Sequence, residues 1–309
     1  MNKGLLKLFR PKRASKVSIV PPVPGTQREG IAVVAIMRNE AANICDWLKF
    51  HKLAGVRNFI LYDNGSQDNT IEVARSVHGI DLNVIPWQLN ATTVKARIFL
   101  PPQIIAYCHA ISCFGHKYRW MSFIDIDEYL VPKSKMNLHE CLAPLSDFSN
   151  VSLPWVMFGT NGHKVPPTKA IPYAYTQASN NLEGPLLNFK CIVDPCKVKT
   201  VSVHKFETLD MGGNTANDLG IIAENKRRTS PDFISTSNLQ LNHYYTKSKQ
   251  DLVHKINSGA ISGANQTQRS QAIMLKLRLI EQNSYFNEDA VQFLKRHKIN
   301  TTEEFQRDL

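Results

Sequence analysis

Trp120-Met121-Ser122-Phe123-Ile124-Asp125-Ile126-Asp127-Glu128-Tyr129-Leu130 decides how this chain is read. An apolar segment suited to a buried strand, Trp120–Ile126, meets two carboxylates spaced i, i+2 and then a third acid. In an extended chain, residues i and i+2 point to the same side, so Asp125 and Asp127 are expected to converge. Carboxylates that close call for a cation between them, and hard oxygen ligands suit Mg²⁺ or Mn²⁺. Such an ion keeps positions for water and phosphate, which points to a phosphorylated substrate. The same residues also describe an acidic loop after a core strand; the apolar run before them favours the cation site.

Upstream, strand and helix signals alternate. Ile31–Met37 is a continuous apolar run, as expected of a strand buried on both faces. Glu40–Leu53 has helical apolar spacing at Ile44, Trp47, Leu48 and Leu53. Asn58–Asp63 is the next strand, Asp68–Val77 the next helix, and Leu82–Trp87 a third strand. Pro101–Phe114 is helical, with proline at its start, and leads into Trp120–Ile126. This order predicts an α/β fold with a mainly parallel, doubly wound (Rossmann-like) sheet, whose ligands bind beyond the carboxyl ends of the strands.

Two polar clusters fall at such ends. Arg38-Asn39-Glu40 leaves the first strand at the mouth of a helix, where a base or ribose could be held. Asp63-Asn64-Gly65-Ser66-Gln67-Asp68-Asn69-Thr70 follows the second strand. Asp68 there is either a helix cap or a ligand contact; Asp63 ends its strand and is expected to face the crevice. Neither a G-x-G-x-x-G nor a Walker sequence is present, so the dinucleotide and P-loop readings lack their mechanism.

The 309 residues carry a formal charge of +11 and 43% hydrophobic content. Lys3, Lys7, Arg10, Lys12, Arg13 and Lys16 surround Leu5, Leu6, Leu8 and Phe9, which reads as a basic amphipathic segment able to rest on anionic lipid or as a plain basic tail. No nucleic-acid-binding motif accompanies the charge, so nucleic acid is not an expected partner. Pro21-Pro22-Val23-Pro24-Gly25 reads as a stiff linker. No apolar stretch approaches the roughly 18 residues that span a bilayer, and no signal-peptide h-region follows the basic start. The six cysteines show no zinc-knuckle spacing and read as reduced thiols of a cytoplasmic protein. The expected organisation is a tail and linker over 1–28, one domain over 29–262 and a helical extension over 263–309. That extension carries apolar stripes (Ile273, Leu275, Leu277, Leu279, Ile280; Val291, Phe293, Leu294) but no readable chemistry.

Several pieces together carry a resemblance. Ala35-Ile36-Met37-Arg38-Asn39-Glu40, Trp47-Leu48-x-Phe50-His51, Gly55-Val56 and Tyr62-Asp63-Asn64-x-Ser66-x-Asp68 resemble the start of a GT-A glycosyltransferase. The similarity is closest to the family-92-like group and its relatives in the broader family-2 set. Phe123–Leu130, Trp155-x-x-Phe158-Gly159-x-x-Gly162-His163, Lys190-x-Ile192-Val193-x-Pro195, Val203-His204 and Leu241-Asn242-His243-Tyr244-Tyr245-x-Lys247-Ser248 follow in family order. The resemblance spans roughly residues 31–260 and implies a GT-A fold and a metal-dependent, inverting transfer from a nucleotide-sugar donor to a glycan or lipid-linked acceptor. Arg38, Asn39, Glu40, Asp63 and Asp68 would face the nucleoside. Asp125 and Asp127 would bridge the diphosphate through Mn²⁺ or Mg²⁺, with His243 completing the metal site or simply bonding backbone at a strand end. Lys247 and Ser248 would contact the departing diphosphate. Trp155, Phe158 and His163 are expected on the acceptor side, although such aromatics also serve as core. For the base, Glu183 is chosen over Asp210, Asp218 and Glu224. A nucleotidyltransferase acting on a sugar phosphate and a non-catalytic sugar-binding protein are the alternatives. A location at the inner face of the membrane fits the basic segment.

Overall fold

Seven apolar residues, Ile31–Met37, form the central strand (β1) of the computed structural model, which describes residues 12–257 and 266–307. Parallel to it run β2 (Asn58–Asp63), then β3 (Asp81–Pro86) beyond β2, and β4 (Trp120–Phe123) on the other side. Val34 pairs with both Ile60 and Phe123. Helices α1 (Ile44–Leu53), α2 (Thr70–Arg75) and α3 (Pro102–Phe114) make the crossings. Alternate residues of β1 divide between two cores, which explains its unbroken apolar run. Val33, Ala35 and Met37 pack with Trp47, Leu48 and Phe50; Ala32 and Val34 pack with Ile104, Tyr107 and Ile111.

Beyond Phe123 the topology departs from expectation. The remaining strands of this sheet are β5 (Glu128–Pro132), β6 (Asn150–Met157), β7 (Phe189–Val193), β8 (Asn214–Ala216), β9 (Ile222–Glu224) and β10 (Leu239–His243). The sheet order is β9-β8-β6-β7-β4-β1-β2-β3, with β7 antiparallel to both β4 and β6. β10 branches off, antiparallel to β5 and parallel to the last residues of β6, where Asn242 pairs with Val156. The sheet is therefore mixed: the expected parallel, helix-crossed pattern holds for β1–β4 only. After β4 the chain reverses in a tight turn instead of crossing through a helix.

That turn also corrects an expected boundary. β4 stops at Phe123, and Glu128 N–H donates to the Asp125 carbonyl at 3.0 Å. Asp125 and Asp127 thus occupy a turn, not consecutive same-face positions of a strand. Similarly, α1 begins at Ile44 instead of Glu40, because Asn39 adopts φ 55° and residues 40–43 form a turn first.

The C-terminal part folds onto this body as α4 (Lys249–Asn257), α5 (Gln266–Gln282) and α6 (Asp289–Arg296). Phe293 of α6 packs on Phe50 with ring centroids 5.0 Å apart. On α5, Ile273, Leu277 and Ile280 are buried, whereas Leu275 is exposed. Residues 1–11 of the basic segment lie outside the described residues. From there the chain runs along the domain: Lys16 pairs with Glu207 at 3.0 Å, Val17 and Ser18 pair with Val201 and Thr200, and Gly25 N–H donates to the His116 carbonyl at 3.0 Å. No disulfide joins any of the six cysteines. Among the described residues no helix is long and apolar enough to cross a membrane.

Candidate active site

The turn Asp125–Glu128 presents three acids to cations supplied by the antiparallel half. Lys190, on β7, is 1% exposed; its Nζ donates to Asp125 Oδ2 at 2.9 Å and lies 3.5 Å from Glu128 Oε2. Burial alone would strip its proton, but Asp125 and then Glu128 outweigh that and hold the ammonium charged. Gln103 of α3 donates to Asp125 Oδ1 at 2.9 Å and to the Tyr107 hydroxyl at 2.9 Å. Glu128 is fully buried, and its Oε2 accepts from Asp125 N–H at 2.8 Å. Burial drives the Glu128 carboxyl well above the usual range, against the pull of Lys190.

Asp127 faces the other way. Lys255, on α4, donates to its Oδ2 at 3.1 Å and to the Tyr245 carbonyl at 2.7 Å, while His243 Nε2 lies 3.4 Å from the same Oδ2. Burial would raise the Asp127 carboxyl, but Lys255 and His243 overcome it and hold the group well below its ordinary value. Burial lowers the His243 imidazole despite Asp127, so the ring tends towards its neutral form. His243 ends β10, where the β5 and β6 pairings fix it, and its ring meets Trp155 at 4.4 Å between centroids.

At the ends of β1 and β2 the expected nucleoside residues are knitted to one another. Asn39 N–H donates to Ser66 Oγ at 3.0 Å, and Asn39 Oδ1 accepts from Gln67 N–H at 2.8 Å. Asp63 accepts from Ser66 N–H at 3.1 Å. Asp68 accepts from Thr70 N–H, the Thr70 hydroxyl and Ala41 N–H, which ties the start of α2 to the turn before α1. Glu40 N–H donates to Thr70 Oγ1 at 2.8 Å, while burial raises its carboxyl against the nearby Lys247. Arg38 is exposed. Lys247 has φ 48°, an αL position that starts the turn into α4. Ser248 is buried; its hydroxyl accepts from Asp251 N–H at 3.1 Å, which caps that helix, and donates to Asp251 Oδ2 at 2.6 Å.

Of the expected acceptor residues, Trp155 lies against His243 and His204 and is 7% exposed. Phe158 is 1% exposed and packs on Tyr244 at 4.8 Å, so it offers no face to a ligand. His163 Nε2 is 3.0 Å from the Ala174 carbonyl. Glu183 is exposed in a loop, where its N–H donates to Asn181 Oδ1, and no hydrogen bond or ion pair joins its side chain to the acidic turn among the described residues. Its competitors are engaged elsewhere: Asp210 accepts from Ser149 at 2.5 Å, Asp218 from Asn238 N–H at 2.7 Å, and Glu224 pairs with Lys226 at 2.9 Å.

Lys190, Glu128, Gln103 and Lys255 escaped the sequence reading as site residues. Lys190 did leave a signal, being a lone charge inside the apolar strand Phe189–Val193. Lys255 left none, because it sits among ordinary surface residues of a helix.

The donor chemistry of Asp125, Asp127 and His243 suits a hard divalent cation: two carboxylates and an imidazole inclined to be neutral, with one nitrogen (Nδ1) buried and unbonded. Among the described residues, however, no three acids, histidines or cysteines are gathered to hold one. Lys190 and Lys255 supply the positive charge in this arrangement instead.

A model of the family described as Glycosyltransferase family 92 matches residues 32–309. A glycosyltransferase family 92 protein of Ricinus communis is 25% identical over 169 residues, which is 51% of this chain and 28% of that protein. One from Oryza sativa subsp. japonica is 26% identical over 153 residues, 47% of this chain and 24% of that protein. The chain thus spans about a quarter of the length of these curated relatives. Among solved structures, S. aureus TarS 1-349 aligns over 80% of this chain and 71% of its own, with a TM-score of 0.34 and 14% identity. The WbbM bifunctional glycosyltransferase aligns over 58% and 34%, with a TM-score of 0.32 and 11% identity.

Proposed function

The chain belongs to glycosyltransferase family 92, and from that premise we propose that the Asp125–Glu128 turn is the centre of a site that moves a sugar from a nucleotide-sugar donor to a glycan or lipid-linked acceptor. The observation that carries this reading is the convergence of three acids with Lys190, Lys255 and His243 beyond the carboxyl end of the parallel strands. Asn39, Glu40 and Asp63 border the nucleoside in this reading, in the loops that leave β1 and β2.

The transfer is inverting in this proposal. An acceptor hydroxyl oxygen bonds to the anomeric carbon while the bond from that carbon to the diphosphate oxygen breaks. The hydroxyl proton passes to a carboxylate, for which Glu183 is the proposed base, and the electron pair leaves with the nucleoside diphosphate. Charge grows on that leaving group, and in this reading Lys255, bonded to Asp127, and Lys247, which acts electrostatically on Glu40, would stabilise it. Asp125, Asp127 and His243 have the donor chemistry for Mn²⁺ or Mg²⁺ but are turned to Lys190 and Lys255 in this arrangement; an ion held by them would have to displace those pairs, and would then add charge stabilisation to the diphosphate. Lys190 holds Asp125 and Glu128 in place, and Gln103 fixes the other Asp125 oxygen.

Incubating the protein with a panel of nucleotide sugars and Mn²⁺ tests the reading. Slow release of one nucleoside diphosphate is expected; no release above the protein-free blank, with any donor, would overturn it. Residues 1–16 are proposed to attach the enzyme reversibly to anionic lipid at the cytoplasmic membrane face, each basic residue adding about 1 kcal/mol near the surface. Co-sedimentation with anionic vesicles at low salt should drop when residues 1–16 are removed, and equal sedimentation would refute the attachment.

A further inference from the structure

Helix α5 brings cations to the aromatic side of the site that no acid there answers. Lys276 Nζ stands 5.0 Å from the Tyr245 ring centroid and 5.8 Å from that of Trp155. Lys255 covers the same Tyr245 ring at 3.9 Å. Arg269 acts electrostatically on the Tyr245 hydroxyl, and its Nη1 is buried with no hydrogen-bond partner. Trp155 Nε1, within a residue 7% exposed, likewise has none.

The local acids do not balance this group. Asp127 is already bonded to Lys255, and among the described residues no carboxylate lies within ion-pair distance of Lys276 or Arg269. Burial and then Lys255 lower the Lys276 ammonium, as expected for a cation beside another cation. Unpartnered donors that are partly or wholly buried are costly, so a site that keeps several together is suited to a ligand that brings acceptors. The half-buried Tyr245 ring adds a surface for the apolar face of a sugar. Lys190 and Lys255 serve the acids of the turn, whereas Lys276 and Arg269 make no ion pair among the described residues and lie by the Tyr245 ring.

We propose that the acceptor carries an acidic substituent, a carboxylate or a phosphate, which Lys276 and Arg269 receive while its sugar ring lies against Tyr245. This rests on the transfer reading above and specifies its acceptor class. Charge-assisted contacts from an ammonium and a guanidinium suit either oxyanion.

Titration calorimetry with glucuronate, glucose 6-phosphate and glucose, each in parallel with UDP, GDP and CDP, tests the proposal on the full chain. The wild-type protein should bind at least one acidic sugar and bind glucose at least tenfold more weakly, roughly the loss of one charge-assisted contact. Whichever of glucuronate and glucose 6-phosphate binds identifies carboxylate or phosphate. Lys276→Ala and Arg269→Ala should each weaken acidic-sugar binding about tenfold while nucleotide affinity stays unchanged, and Lys276→Arg should restore most of it. Equal binding of glucose, no binding of either acidic sugar, or variants that weaken only the nucleotide would overturn the proposal; the last would assign these cations to the donor. A wild-type protein that takes the acidic sugars but no nucleoside diphosphate would uphold the anion site and sink the transfer reading.

Discussion

The parallel and antiparallel halves of the sheet treat their polar residues in opposite ways. At the ends of β1 and β2, Asn39, Asp63, Ser66, Asp68 and Thr70 bond to one another and to nearby backbone N–H groups. Across the turn, Lys190, Lys255 and His243 come from β7, α4 and β10 to meet acids that begin where β4 ends. The first half is a set of locally satisfied loops, stable without outside help. The second half is a charge assembly built from segments far apart in sequence, where each member depends on the others. A ligand of the first region meets a shape already set, and a ligand of the second competes with ion pairs already made.

The largest expected effect breaks the second region. Lys190→Met leaves Glu128 buried without its ammonium, and removing one partner of a buried pair costs about 3 to 5 kcal/mol. Urea unfolding should show a loss of that size, while Lys16→Met, at the exposed pair with Glu207, should change stability by less than about 1 kcal/mol. Equal midpoints for the two variants would show that Lys190 is not the support of the turn.

A pH effect sharpens the contrast from the other side. His51 in α1 is fully buried, its Nδ1 2.8 Å from the Trp47 carbonyl and its Nε2 accepting from Leu130 N–H at 3.2 Å. Burial lowers it from 6.5 to about 4. The unfolded chain therefore binds a proton that the native ring refuses. Its contribution is complete above pH 6.5 and is lost as pH falls toward about 4, at about 1.4 kcal/mol per unit. Between pH 6.5 and 5 the loss should be about 2 kcal/mol by denaturant titration. His51→Gln should remove that part of the slope, and an unchanged slope would refute it.

The smallest effect belongs to the strand-end loops. Asn39→Ala and Asp63→Ala should each raise the donor KM about five- to tenfold, the worth of roughly one hydrogen bond, and leave the acceptor KM unchanged. Steady-state kinetics with an unaltered donor KM would mean that these loops only shape the turn.

The division between the halves also explains what could be read from the chain. Ile31–Met37 and Asn58–Asp63 are visible because strands buried on both faces need unbroken apolar runs. Asp125 and Asp127 stand out for the same reason, as acids closing such a run. The i, i+2 argument nevertheless misplaced them: β4 ends at Phe123, and the turn sends Asp125 to Lys190 and Asp127 to Lys255. Nothing local records those pairings, which span 65 and 128 residues. The mixed order of β6, β7 and β10 was hidden likewise, because short strands of similar composition fit either direction. Phe158 and Trp155 share the composition of a sugar platform and of a core, and only burial separates the two.

The most direct test of the central claim is turnover of the preferred nucleotide sugar by the wild-type protein and by Asp127→Asn at equal folded concentration. The substitution keeps the shape of the side chain and removes the charge that Lys255 and His243 meet. A fall in kcat of about a hundredfold or more per folded molecule, beyond any loss of thermal midpoint from the broken pair, is the expected result. Wild-type turnover in the variant would contradict the placement of the reaction at this turn.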